Sequence, residues 1–252
     1  GSAYTEYIII FLMFTGGVRF ILLYQLFRHF SGNIFKDEEF KWYTYIIIIA
    51  TFLILLSLYL KGYRPGSAAT TVRTALFQVV AAVSSTGFAT TNILMWGEFY
   101  WFILIALILF CGSEGSTSGG MKISRLIILV KNTKVVLQRQ VHPQARYAVK
   151  INNQVFTNTI IEKVLAFVFL YLTTIGVSAI ILSLNGLTFD ESLGTAISSI
   201  SSYGFGQGDY GPSVNYASVN GFTKYYLNAL MIVGRLEMFT VLSLFLPAFW
   251  KR

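Results

Sequence analysis

Ser84-Ser85-Thr86-Gly87-Phe88-Ala89 recurs further along the chain as Ser201-Ser202-Tyr203-Gly204-Phe205-Gly206. Each stretch follows a short apolar run of the same rhythm, 74–83 before the first and 191–200 before the second. Neither run reaches the roughly 20 apolar residues that cross a bilayer. A half-helix ending in a Gly-centred polar turn is the plan of a re-entrant segment. Non-helical backbone at membrane depth survives only where it is buried or lines a water-filled cavity. Present twice, such a unit points to an ion pathway walled by backbone carbonyls.

The surrounding sequence is that of a membrane protein. Of its 252 residues 55% are hydrophobic and only 12% charged, with a mean hydropathy of +0.63; an ordinary soluble domain carries about 25% charge. Apolar spans are read at 7–27 (interrupted by Gly16-Gly17), 43–60, 100–110 continuing at 121–137, 164–184 and 225–250. Breaks fall at Gly62-Tyr63-Arg64-Pro65-Gly66-Ser67, before the first half-helix, and at the Gly/Ser/Thr insert running from Gly112 to Gly120. A break of the second kind inside an apolar helix marks a binding or gating point, the plainer reading being an interfacial loop. Residues 149–155 read as a small hairpin. The unit is span, half-helix, Gly turn, span, occurring twice, and internal repetition of this kind is an architectural signal. The fold class is all-α integral membrane.

The formal net charge is +8, and its placement is topological. Lys122, Arg125, Lys131, Lys134, Arg139, Arg146 and Lys150 crowd one connection, Arg28, Lys36 and Lys41 another, and Lys251 and Arg252 end the chain. Alternating spans put these on one side, which the positive-inside rule makes cytoplasmic. The opposite loops are nearly balanced: Lys61, Arg64, Arg73, Glu98, Asp190, Glu191 and Asp209. No nucleic-acid partner is expected. Cys111 is the only cysteine, which excludes an internal disulfide and a cysteine metal cluster. Gly1-Ser2-Ala3 lacks the pattern of a signal peptide.

Rings of backbone carbonyls replace an alkali cation's hydration shell, and glycine presents them without side-chain clashes. Gly87 and Gly204 hold equivalent places, flanked by Ser85, Thr86 and Phe88 in one copy and by Ser202, Tyr203 and Phe205 in the other. The half-helices aim their negative C-terminal ends at the cation. The competing reading, a pair of helix C-caps with aromatic plugs, explains one such turn but not its recurrence.

Three motifs in order make the chain resemble the Trk/Ktr/HKT superfamily of potassium transporters. Ser85-Thr86-Gly87-Phe88 resembles its third filter strand, Gly115-Ser116-Thr117-Ser118-Gly119-Gly120-Met121-Lys122 its glycine-rich intramembrane loop, and Gly234-Arg235-Leu236-Glu237-Met238-Phe239-Thr240 its last span. The resemblance implies tandem span–pore-helix–filter-loop–span repeats, as in potassium channels. It divides the chain into the closing span of a preceding repeat (4–31), a third repeat (42–140), a cytoplasmic linker (141–160) and a fourth repeat (161–252). Ser85, Thr86, Gly87, Phe88, Ser202, Tyr203, Gly204 and Phe205 become the filter, with K+ at Thr86, Gly87, Tyr203 and Gly204. Gly115, Ser116, Thr117, Ser118, Gly119, Gly120, Lys122 and Arg235 become the gate. Arg235 would enter the cavity below the filter and hold loop carbonyls; the alternatives are a pair with Glu237 or snorkelling.

Two filter strands do not surround an ion. The resemblance therefore implies the C-terminal half of a transporter, completed by the missing N-terminal half or by a second copy. It further implies a homodimer of the full protein, membrane lipid around it, a bacterial inner (plasma) membrane location, and a cytosolic nucleotide-binding regulatory subunit (TrkA-like). Arg139, Arg146 and Lys150 are the expected contacts for that subunit. K+ is cargo, and no cofactor is expected in this chain. Glu114 is open to three readings: a cation site, a partner for Lys122, or local variation. Arg19 is charged where a small or neutral polar residue is expected.

Two other classes compete with this reading. An enzyme is disfavoured: Gly115-Ser116-Thr117-Ser118-Gly119 has threonine where a nucleophile elbow needs serine, and Met121 splits the Gly-Lys pair of a phosphate-binding loop. His29 and His142, the only histidines, lie in basic connections. The second alternative is a non-conducting scaffold that docks a cytosolic regulator.

Overall fold

The computed structural model describes residues 2–29, 32–63, 66–91, 96–145, 147–152, 154–212 and 216–250. Gly1, Arg64, Pro65, Arg146, Lys251 and Arg252, and Asn153 within the expected hairpin, lie outside the described residues. Helices α1 (Ala3–Gly16), α2 (Phe20–His29) and α3 (Glu38–Leu60) precede the first short helix, α4 (Ala68–Val83). Then come α5 (Glu98–Leu109), α6 (Ile123–Val141) and a hairpin of β1 (Lys150–Ile151) and β2 (Gln154–Val155), paired antiparallel. α7 (Asn158–Leu184) leads to the second short helix, α8 (Phe189–Ile200), and α9 (Gly221–Arg235), α10 (Met238–Leu244) and α11 (Pro247–Trp250) follow.

α3 and α7 are each long and apolar enough to cross a membrane. Their outer faces carry Ile48, Ile49 and Phe52, and Phe169, Leu172 and Ile180, all more than half exposed. Continuous apolar stripes of this kind suit lipid rather than water. The short helices are the reverse. Ala75, Phe77, Gln78 and every residue from Val79 to Val83 are buried, as are Thr195 to Ile200 on α8. A helix covered all round belongs inside the protein. α1, α3 and α5 pack around α4, α7 and α9 around α8, and α5 also reaches α8, joining the two units.

Local chemistry sets the helix starts. Asp37 accepts from the Phe40 N–H (2.9 Å) at the head of α3, and Asn220 from the Thr223 N–H (2.8 Å) at α9. Thr188 and Glu191 form a reciprocal capping box at α8. Each such cap satisfies donors the helix leaves orphaned.

Two of the expected spans are bent. Residues 7–27 break at Gly16-Gly17, where an interruption was expected, and α1 and α2 meet at 106°. The carbonyls that would continue α1 are taken by a distant loop. Gly16 O accepts from the Thr117 N–H (3.3 Å) and Oγ1 (3.0 Å), and Gly17 O from the Ser113 N–H (2.9 Å). Residues 225–250 likewise break, with α9 and α10 at 111°. Glu237 sits there at φ 63, a backbone that ends a helix in L-residues.

Candidate ion pathway

α4 and α8 end alike. The Ser85 N–H donates to Ala82 O (3.1 Å) and the Thr86 N–H to Ala81 O (3.0 Å); the Ser202 N–H donates to Ser199 O (3.1 Å) and the Tyr203 N–H to Ser198 O (2.9 Å). This crossed pair is a Schellman cap, which requires one left-handed residue past the helix. Ser85 and Ser202 supply it, both at φ 54. Serine in that conformation costs on the order of 1 kcal/mol or more, so its surroundings must hold it. Ser85 Oγ accepts from the Gly119 N–H (3.3 Å), and the neighbouring Ser201 Oγ bonds the Tyr171 hydroxyl (2.8 Å). Both turns are thus helix C-caps, as the competing reading has them; each cap turns the chain sharply and ends the helical bonding of the residues after it.

Among the described residues, no donor reaches the carbonyl oxygens of Thr86, Gly87, Tyr203 or Gly204. The two turns also touch. A Cβ on Gly87, which sits at φ +69, would fall well inside 3.0 Å of the Tyr203 carbonyl oxygen. Gly204, at φ +117, has nothing within 4 Å of such a Cβ; its N–H donates to Ser198 Oγ (3.1 Å). The two phenylalanines differ as well. Phe205 is buried with its ring 4.5 Å from that of the buried Tyr203, whereas Phe88 is 55% exposed.

The glycine-rich loop packs against both caps. Besides its bond to Ser85, Gly119 lies so close to the Ser201 carbonyl that a Cβ would overlap it. The Gly112 N–H donates to Val83 O (2.8 Å), and Gly115 O accepts from the Phe20 N–H (3.3 Å). Ser116 Oγ donates to Ser113 O (2.6 Å). A Cβ on Gly120 would strike Cys111 Sγ. Two cations grip the loop from the other side. Arg235 Nη1 donates to Thr117 O (2.6 Å), and Lys122 Nζ donates to Ser118 O. Ser116, Ser118, Gly119, Gly120, Lys122 and Arg235 line one polar cavity of about 270 Å³, with Tyr171 and Gly234 on its wall.

Two of the alternative pairings do not form. Glu237 bonds Arg125 (3.1 Å) rather than Arg235; the chain turns between α9 and α10, with Glu237 outside both helices at φ 63. Lys122 turns to the loop carbonyl, and the exposed Glu114 is not its partner. Arg139 donates to Tyr147 O (2.8 Å), and Lys150 O accepts from Lys131 (2.6 Å).

Sequence reasoning missed Glu39. It is 1% exposed, pairs with Arg19, and accepts the Glu114 N–H (2.7 Å). An arginine inside a span demands a partner, and that demand was the available signal.

A family model described as TrkH, a cation transport protein, matches residues 2–252. The chain belongs to that family. The Trk system potassium uptake protein TrkH of Salmonella typhimurium is 33% identical over 251 residues, 97% of this chain and 50% of that protein. TrkI of Halomonas elongata, also a Trk system potassium uptake protein, is 31% identical over 242 residues, 95% and 48% of the two chains. The crystal structure of the potassium transporter TrkH from Vibrio parahaemolyticus matches with a TM-score of 0.88 at 28% identity, over 99% of this chain and 53% of that one. The chain therefore spans about half the length of the TrkH relatives it matches, and its helical membrane architecture is theirs.

Proposed function

We propose that this chain is the C-terminal half of a potassium-translocating subunit of a bacterial inner membrane. In this reading the Thr86, Gly87, Tyr203 and Gly204 carbonyls form two strands of a four-stranded filter. The remaining strands come from an N-terminal half or from a second copy. The observation that carries the reading is the matched pair of Schellman caps, which brings Gly87 against the Tyr203 carbonyl and leaves four carbonyl oxygens without a donor among the described residues. At membrane depth each unsatisfied polar group costs several kcal/mol, and a dehydrated cation is the partner that offsets it.

The glycine-rich loop acts as the gate. Arg235 and Lys122 hold Thr117 O and Ser118 O, so the loop sits against the caps with two positive charges behind it. A cation leaving the filter meets that barrier until the loop moves. The transporter works as a homodimer, and its cytosolic nucleotide-binding regulator docks on the basic linker around Arg139, Arg146 and Lys150.

Rubidium uptake by cells lacking their own potassium uptake, expressing the intact protein, tests the filter. Gly87→Val is expected to abolish uptake at normal membrane abundance; wild-type uptake would refute the reading.

A further inference from the structure

Three consecutive acidic residues at the head of α3 each hold a different part of the molecule. Asp37 caps α3 and also accepts from Asn152 Nδ2 (2.7 Å) in the hairpin turn. The Glu38 N–H returns a bond to Asn152 Oδ1 (2.8 Å), and the Glu38 carboxylate takes Lys131 Nζ of α6. Lys131 also donates to Lys150 O of β1 (2.6 Å). Glu39 faces inward instead, to Arg19 and to the Glu114 N–H of the glycine-rich loop. Asn152 itself sits at φ 49, a conformation asparagine tolerates better than most residues.

We infer that Glu39 is a positioning residue for the glycine-rich loop, and that the clasp between Asn152 and Asp37–Glu38 sets where it stands. The hairpin of the cytoplasmic linker thereby controls how often the loop clears the pathway. This rests on the gating reading above.

The loop is held at two points. Lys122 and Arg235 grip Thr117 and Ser118, while Glu39 grips Glu114 on the opposite arm. Bonds to a carboxylate are stronger than neutral ones, and a buried carboxylate stripped of its partners is strongly disfavoured. Glu39 therefore moves with the loop rather than releasing it. Its neighbours Asp37 and Glu38 share one helical turn with it, so little slack separates the hairpin from the loop. Loosening the clasp frees the first turn of α3, slackens the Glu39 anchor and favours the open loop.

The test uses the intact transport protein reconstituted in vesicles, with rubidium uptake as the readout. Asn152→Gly keeps the left-handed backbone and removes the amide; Asn152→Asp keeps the size and sets a carboxylate against Asp37. Both are expected to raise the maximal rate roughly five-fold, the population change one ordinary hydrogen bond supports. The KM for rubidium stays at the wild-type value, because the filter is untouched. Glu39→Gln raises the rate as well, and combining it with Asn152→Gly gives no more than the larger single effect. Unchanged maximal rates in both Asn152 variants overturn the inference, as does a multiplicative double variant. A changed KM with an unchanged maximal rate overturns it too. If Arg235→Gln alters uptake while neither Asn152 variant does, the gate stands and the clasp falls; if none alters it, both fall.

Discussion

Gly87 lies against the Tyr203 carbonyl so closely that any side chain at 87 would collide with it, while its counterpart Gly204 faces open space. Two positions equivalent in sequence therefore have different constraints. Gly87 is held by a left-handed backbone and by contact, Gly204 by backbone alone.

The first prediction follows from that asymmetry. Gly87→Ala must push the two turns apart and is expected to lower rubidium uptake by an order of magnitude or more. Gly204→Ala carries only the backbone penalty, on the order of 1 kcal/mol, and is expected to reduce uptake less. Uptake normalised to membrane abundance checks the ranking, and equal losses would contradict it.

A second concerns the seat of α9. A Cβ on Gly234 would overlap the Ile200 carbonyl at the end of α8, and backbone does not yield as a flexible side chain does. Gly234→Ala is expected to destabilise the protein by about 1–3 kcal/mol, the usual cost of overpacking. Gly176→Ala on α7 has nothing within 4 Å of the new methyl and is expected to be neutral or slightly stabilising. Thermal unfolding in detergent compares the two.

How much of this was legible in the sequence depends on where the determining interactions lie. The run 191–200 falls on α8 because that helix has local ends: a capping box at Thr188 and a Ser-Ser-x-Gly turn. Gly16-Gly17 marked an interruption, but the sharpness of the bends after Gly16 and Arg235 was not legible. Apolar composition runs on across both, and what stops α1 is a loop a hundred residues away that takes its last carbonyls. For Arg235 it was the family resemblance that implied a cation at the loop carbonyls; its Nη1 donates to Thr117 O. Glu39 was hidden because it lies in a run of acids beside a basic connection, and only the folded chain turns it toward Arg19 and Glu114.

The third prediction concerns the gate. Arg235 donates to Thr117 O at 2.6 Å, and replacing it by glutamine removes the charge and loosens the loop. Arg235→Gln is expected to raise the maximal rubidium uptake rate several-fold while leaving the KM near wild type. Initial rates across a rubidium series separate the two quantities, and a lower maximal rate would argue against a barrier at this position.

The fourth is a pH dependence at the head of α8. Burial pushes the Glu191 carboxyl up, but bonds from the Thr188 N–H and hydroxyl and from the Asp209 N–H outweigh it and hold it below the ordinary carboxylate range. A carboxyl depressed in the fold stabilises the folded state above its unfolded pKa, and that contribution is lost as pH falls through the folded value. Glu191→Gln should therefore be less pH-sensitive than wild type below about pH 4.5. Unfolding temperatures of the two proteins across that range are the check, and parallel curves would contradict it.

Whether these carbonyls bind the ion is tested by a crystal structure of the intact protein grown in rubidium, read by anomalous scattering. Rubidium peaks are expected on the pathway axis, coordinated by the carbonyl oxygens of Thr86, Gly87, Tyr203 and Gly204. Rubidium bound elsewhere, with none at those carbonyls, would contradict it.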